Sequence, residues 1–195
     1  ARSHVAARLA LVYLMDQRAD QAIQILRSTR QAGLPRDLSQ DRRLIEARAL
    51  TELKRFDHAL ELIDGYFGLE FERLRTDVFW ESQDWARAGD KLKELIERTY
   101  ETGRPMTERQ RADVLRAAVA YSLAEDETAL GALNEAYGSL MAASPDAEAF
   151  EILIASINGQ DVDFRRLAAQ IAGTNTLDGF MEEMSSRFDV GRADS

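Results

Sequence analysis

One spacing recurs four times along this chain, and few folds satisfy it. A small residue is followed three positions later by a large one, and an alanine comes nine beyond that. An aliphatic residue lies four further on, and a last packing residue three more. Ala10, Tyr13, Ala22, Leu26 and Thr29 are the first set, and Ala47, Leu50, Ala59, Ile63 and Tyr66 the second. Thr76, Phe79, Ala88, Leu92 and Leu95 follow, then Ala117, Ala120, Ala129, Leu133 and Ala136. Steps of three and four put residues on one face of a helix. A small residue on each of two helices lets their axes approach to about 8 Å, with large residues filling the flanks.

Residue usage agrees. Ala and Leu number 29 and 23, against 7 Val and 9 Ile, which favours helix over strand. With 3 Pro and 11 Gly in 195 residues, the many turns of an all-β fold have too little punctuation. The expected fold class is all-α. Val5, Leu9, Val12 and Tyr13 mark a helix over 5–15, and Ala22, Ile23 and Leu26 a second over 20–32, stopped at Gly33-Leu34-Pro35. Helices over 40–53 and 57–63 form a second pair, and 70–83 with 85–101 a third. Thr107 with Gln110 reads as a capping box opening a fourth pair, 108–123 and 127–142. Pro145 suits the first turn of a helix to about 157, and shorter helices are expected over 163–172 and 177–188. The tail 189–195 is expected to fray.

The stretches Leu9 to Tyr13 with Asp20 to Ile23, Ala47 to Leu50 with Asp57 to Leu60, and Val78 to Trp80 with Asp84 to Ala88 resemble the tetratricopeptide repeat of bacterial repeat proteins, in degenerate form. The anchor alanines are 37, 29 and 41 residues apart. Ala6, Arg43, Glu72 and Asp113 stand where that family most often has tryptophan, and Gln17, Lys54 and Gln83 where it has a glycine before the turn. The resemblance spans about 4–140 and implies a right-handed α-α superhelix, a solenoid of about four helix pairs over 1–142. The helices of 143–195 would cap it. It also implies a concave face that binds a peptide or a partner protein, made of Leu11, Leu14, Arg48, Arg73, Asp77, Trp80 and Tyr121.

Motifs for chemistry are sparse. Without cysteine there is no disulfide, thiolate metal site or cysteine nucleophile, and two histidines leave few bases that titrate near neutrality. His58 beside Asp57, and His4, read as surface residues. Asp161-Val162-Asp163 lacks the glycine and later ligands of a calcium loop. Gly65-Tyr66-Phe67-Gly68 lacks the lysine of a phosphate loop and reads as a corner between helices. Glu125-Asp126-Glu127 places negative charge at a helix start, where the dipole favours it. No cofactor, metal or catalytic residue is expected, and the chain is read as no enzyme.

The net charge of −9 argues against nucleic acid as a partner, and no apolar run is long enough to span a membrane. Residues 1–55 carry +5 and residues 118–195 carry −10, enough to steer partners of opposite sign. The opening at Ala1, without Met or signal peptide, suggests a fragment or processed product. The compartment, cytoplasmic or periplasmic, is left open. The expected function is a protein-interaction or scaffold module, with Trp80 either as anchor or packed against the neighbouring helix pair, and Arg48 and Arg73 receiving an acidic or C-terminal segment. The alternative is a helical accessory domain of a larger enzyme or envelope assembly. Leu177, Phe180, Met181, Met184 and Phe188 form an apolar stripe, expected to cover the last repeat.

Overall fold

The computed structural model describes residues 2–155, 162–173 and 176–190. Among these every regular element is a helix: α1 (Arg2–Met15), α2 (Ala19–Ser28), α3 (Arg36–Glu52), α4 (Phe56–Ile63), α5 (Leu69–Glu81), α6 (Trp85–Thr99), α7 (Glu108–Leu123), α8 (Glu127–Ala142), α9 (Ala147–Ala155), α10 (Val162–Ala172) and α11 (Thr176–Val190). The expected all-α class is therefore observed. Asp161 of the Asp161-Val162-Asp163 stretch, the expected helix end near 157 and the tail beyond 190 lie outside the described residues. Pro145 sits in the turn before α9, which starts at Ala147.

Four helix junctions share one turn. Gln17, Lys54, Gln83 and Glu125 follow α1, α3, α5 and α7 with φ between 57° and 59°, a left-handed conformation that costs any residue but glycine. The next residue's N–H reaches back to the last turn in three of them: Arg18 to the Tyr13 carbonyl at 2.7 Å, Arg55 to Leu50 at 2.8 Å and Asp126 to Tyr121 at 2.9 Å. This satisfies carbonyls that the helix end would otherwise leave unpaired. The repeat is thus written in the backbone as well as in the alanines.

The chain forms two compact units, which differ from the expected division at 142. One comprises residues 1–82 and 175–195, the other residues 83–174. The expected third pair is accordingly divided, α5 belonging to the first unit and α6 to the second.

In the first unit α1 packs on α2 and α3, α3 on α2 and α4, and α5 on α3 and α4. Ala7, Ala10, Ala22, Ala47 and Ala59 are fully buried and let these helices approach. Arginines tie successive helices by reaching carbonyls at helix ends. Arg42 donates to Ser3 (2.7 Å) and Leu26 (2.6 Å), and Arg75 to Ile63 (2.7 Å) and Tyr66 (2.6 Å). The inner face of α1 is Ala6, Ala7, Ala10, Leu11 and Leu14, whereas Val5 and Val12, chosen by periodicity, are 62% and 49% exposed. Periodicity missed the inner face because α1 is apolar nearly all round. Gly65 and Gly68 do form the α4–α5 corner, with Phe67 exposed at its tip.

In the second unit α6 packs on α7, α7 on α8 and α9, and α10 on α7 and α9. The α6–α7 contact depends on Gly89, where an added Cβ would lie 2.7 Å from the Tyr121 ring. The expected capping box is present: Thr107 Oγ1 accepts from the Gln110 N–H, and Gln110 Oε1 accepts from the Thr107 N–H. Arg111 ties α7 to the start of α9 through Asp146 at 2.6 Å. Ala88, Leu92 and Leu95 of the ladder are buried, but on α8 the register slips by one. Leu130, Leu133 and Tyr137 face inward, while Ala136 is exposed.

Candidate functional site

The expected binding residues separate between the units. Leu11, Leu14, Arg48, Arg73, Asp77 and Trp80 lie on α1, α3 and α5 of the first, and Tyr121 lies in the second. Tyr121 is a core residue there, 1% exposed, with its hydroxyl donating to Asp90 at 3.3 Å. Burial first, then the Asp90 charge, holds its pKa well above the ordinary phenol value. Nothing about it suits an open groove.

The other six do not form an open groove either. Leu11 and Leu14 are 6% and 0% exposed, and the Trp80 side chain is buried at 2%. Arg73 is partly buried. Arg48 is entirely enclosed. It donates to Glu52 at 2.9 Å and lies 3.6 Å from Asp77, so its charge is answered within the first unit. The expectation that Trp80 and Arg48 present open contacts to a ligand is therefore corrected.

The reason is α11. Its apolar stripe does cover the chain's own core, at the first unit rather than over the last repeat. Leu177, Met184 and Phe188 join one buried cluster with Leu11, Leu14, Leu44, Leu50 and Leu74, and Phe180 and Met181 pack against its edge. Five further contacts set the helix direction. Thr176 Oγ1 donates to Glu81 at the end of α5 at 2.7 Å. The Arg48 guanidinium lies over the Phe180 ring, 5.9 Å from its centroid. Arg187 pairs with Asp41 at 2.8 Å and Glu70 at 3.3 Å, near the starts of α3 and α5, and His4 stands edge-on to Phe188 at 5.1 Å. Seven residues along α11, from Phe180 to Arg187, match seven back along α3, from Arg48 to Asp41. So α11 runs antiparallel to α3 and α5 along the face made by the first helix of each hairpin.

The rim of that face is acidic. Asp41, Glu52, Glu70, Asp77 and Glu81 all lie along it, and α11 meets this with one inward cation, Arg187, while Asp178 and Glu182 point outward. Burial raises the pKa of Asp41 above the ordinary carboxylate value, against the opposing pull of Arg187. Comparison with known proteins yields no matching family model, no matching curated protein and no matching solved structure. The functional reading therefore rests on this geometry alone.

A second concavity in the first unit, about 360 Å³, is lined by Leu26, Arg30, Arg42, Arg43, Glu46 and Leu62. Its cations are engaged in holding helices together. Arg42 serves the two carbonyls named above, and Arg43 donates to the Leu62 carbonyl at 2.8 Å and stacks on Tyr66 at 4.3 Å. Glu46 takes Arg27 at 2.8 Å. As for the histidines, His58 lies exposed near the start of α4, and His4 is spent on Phe188. Among the described residues no group of three or more His, Asp or Glu side chains could hold a metal ion, and no helix is long and apolar enough to cross a membrane.

Sequence reasoning grouped Leu11, Leu14, Arg48 and Asp77 on one surface but missed Asp41, Glu70, Glu81 and Arg187. Their only signal was a cation next to the last aromatic of the α11 stripe, too local to name its partners.

Proposed function

We propose that this chain is a non-catalytic protein-interaction module, an array of α-hairpins of the tetratricopeptide kind, whose binding surface is the α1–α3–α5 face of the first unit. The observation that carries this reading is the lengthwise seat of α11. A face that accepts fifteen residues of helix, with apolar side chains at its centre and carboxylates along its rim, has the make-up of a protein-binding groove. Helical hairpins in series expose much surface per residue, which suits them to scaffolding.

Site-specific photocrosslinking tests the surface. A photoreactive residue replacing Arg73, on the proposed face, should crosslink a partner in cells. The same residue replacing His58, exposed on α4, should not. Crosslinks from position 58 with none from position 73 would move the binding surface elsewhere, and none from either would reject the interaction role.

A further inference from the structure

We propose that α11 is a resident copy of the ligand, and that the partner is an amphipathic helix bearing a cation where α11 carries Arg187. This rests on the reading of the α1–α3–α5 face as the binding surface, and adds the ligand's chemistry and its competitor.

Three observations converge. The apolar contacts of α11 fall at 177, 180, 184 and 188, steps of three and four that any amphipathic helix can reproduce. No backbone feature peculiar to α11 is needed, so the face reads a side-chain pattern. Next, Asp41 on α3 and Glu70 on α5 converge on one cation from outside α1–α5, Arg187, at 2.8 Å and 3.3 Å. Arg187 is 31% exposed, so the pairing is partly dry. A ligand with an acidic residue there would meet two carboxylates in a partly dry setting, a repulsion strong enough to reject it. This reverses the acidic or C-terminal ligand expected from Arg48 and Arg73. Finally, α11 reaches the first unit only after the whole second unit in the chain, and Thr176 and Arg187 tie it near its two ends. It can leave without unravelling a hairpin. A resident helix of this sort lowers the apparent affinity for a partner by the fraction of molecules in which the face is open.

The test uses the 195-residue chain and a fluorescein-labelled peptide of the sequence of residues 176–190 as the probe. Phe180→Ala with Arg187→Glu weakens the resident helix. Arg187→Glu alone keeps the apolar stripe, so a folded variant is available if the double one fails by circular dichroism. Fluorescence anisotropy should show the probe binding either variant at least about 10-fold more tightly than the wild-type chain. The same peptide carrying Arg187→Glu should lose that gain. Equal affinity for wild type and variants would overturn the resident role, and equal binding of the two peptides would overturn the cation requirement. A wild-type dimer by light scattering that the Arg187→Glu substitution dissolves would make the second copy's α11 the occupant instead. Position-73 crosslinks to a partner, with no peptide binding, would sink this inference and spare the module. Peptide binding with no crosslink from either position would keep α11 as a displaceable helix and overturn both the interaction role and the proposed partner.

Discussion

The guanidinium of Arg48 and the ring of Phe180 face each other across the inner side of the first unit, 132 residues apart in the chain and 5.9 Å apart in space. Arg48 is the largest enclosed side chain of the molecule's described core, and it is charged. It is tolerable only because Glu52 and Asp77 lie against it and an aromatic face lies over it. Arg48→Ala should therefore cost about 3–5 kcal/mol, since it removes the enclosed cation that Asp77, at 14% exposure, lies against. Adding Asp77→Asn should return part of that loss. Urea denaturation of the two variants measures it, and equal midpoints would mean that Asp77 never depended on Arg48.

The shared left-handed turn makes a stabilising prediction. Gln17, Lys54, Gln83 and Glu125 are exposed, so their side chains contribute little where they stand. Replacing any one by glycine removes the steric cost of positive φ and should raise stability by about 0.5–1 kcal/mol, offset in part by the freer unfolded chain. Thermal melts of Lys54→Gly and Gln83→Gly would show it. A lower melting temperature in both would mean that these side chains hold something at the turn.

Close approach in the alanine ladder can be probed by charge. Ala59 and Ala88 are fully buried, and Ala86 is exposed on the same helix as Ala88. Ala59→Asp or Ala88→Asp should destabilise by about 3 kcal/mol or more, and Ala86→Asp by no more than about 0.5 kcal/mol. Equal tolerance of all three in chemical denaturation would break the proposed register.

Asp41 predicts an unusual pH slope. Burial holds its pKa above 3.8, Asp37 and Glu70 reinforce this, and Arg187 opposes it. The folded chain then keeps a proton that the unfolded chain has lost. Its contribution is fullest below the unfolded value and is lost as pH rises through the folded one. Melting temperatures of Asp41→Asn and wild type, compared from pH 4 upward, should diverge in that direction, wild type losing ground as pH rises. A difference that is flat with pH would show that Arg187 compensates the burial.

Some of this was legible in the sequence and some was not, for a physical reason. Ala22, Ala59 and Ala88 announce themselves because close helix packing demands a small side chain at a fixed step, and Thr107 with Gln110 because a helix start needs local acceptors. Ala129 and Ala136 fit the same step yet lie off the core, since a one-residue slip on α8 lets Leu130 and Tyr137 serve instead. The place of α11 could not be read at all. Its stripe fixes which side is buried, not against what, and the contact from Arg187 to Asp41 closes a loop of well over a hundred residues. The same gap hid the enclosure of Arg48 beneath Phe180.

That order of assembly matters during synthesis. Residues 82–175 must leave the ribosome between the last residue of α5 and the first of α11. At bacterial or eukaryotic rates of about 5–20 residues per second, this leaves the nascent α1–α5 half with its leucine-lined side bare for about 5–20 s. Each newly made molecule therefore passes once through a state in which that side is open to any helix nearby, whether a chaperone, a neighbour on the same polysome or a client. A partner present at the ribosome could be captured then, before the chain's own last helix competes.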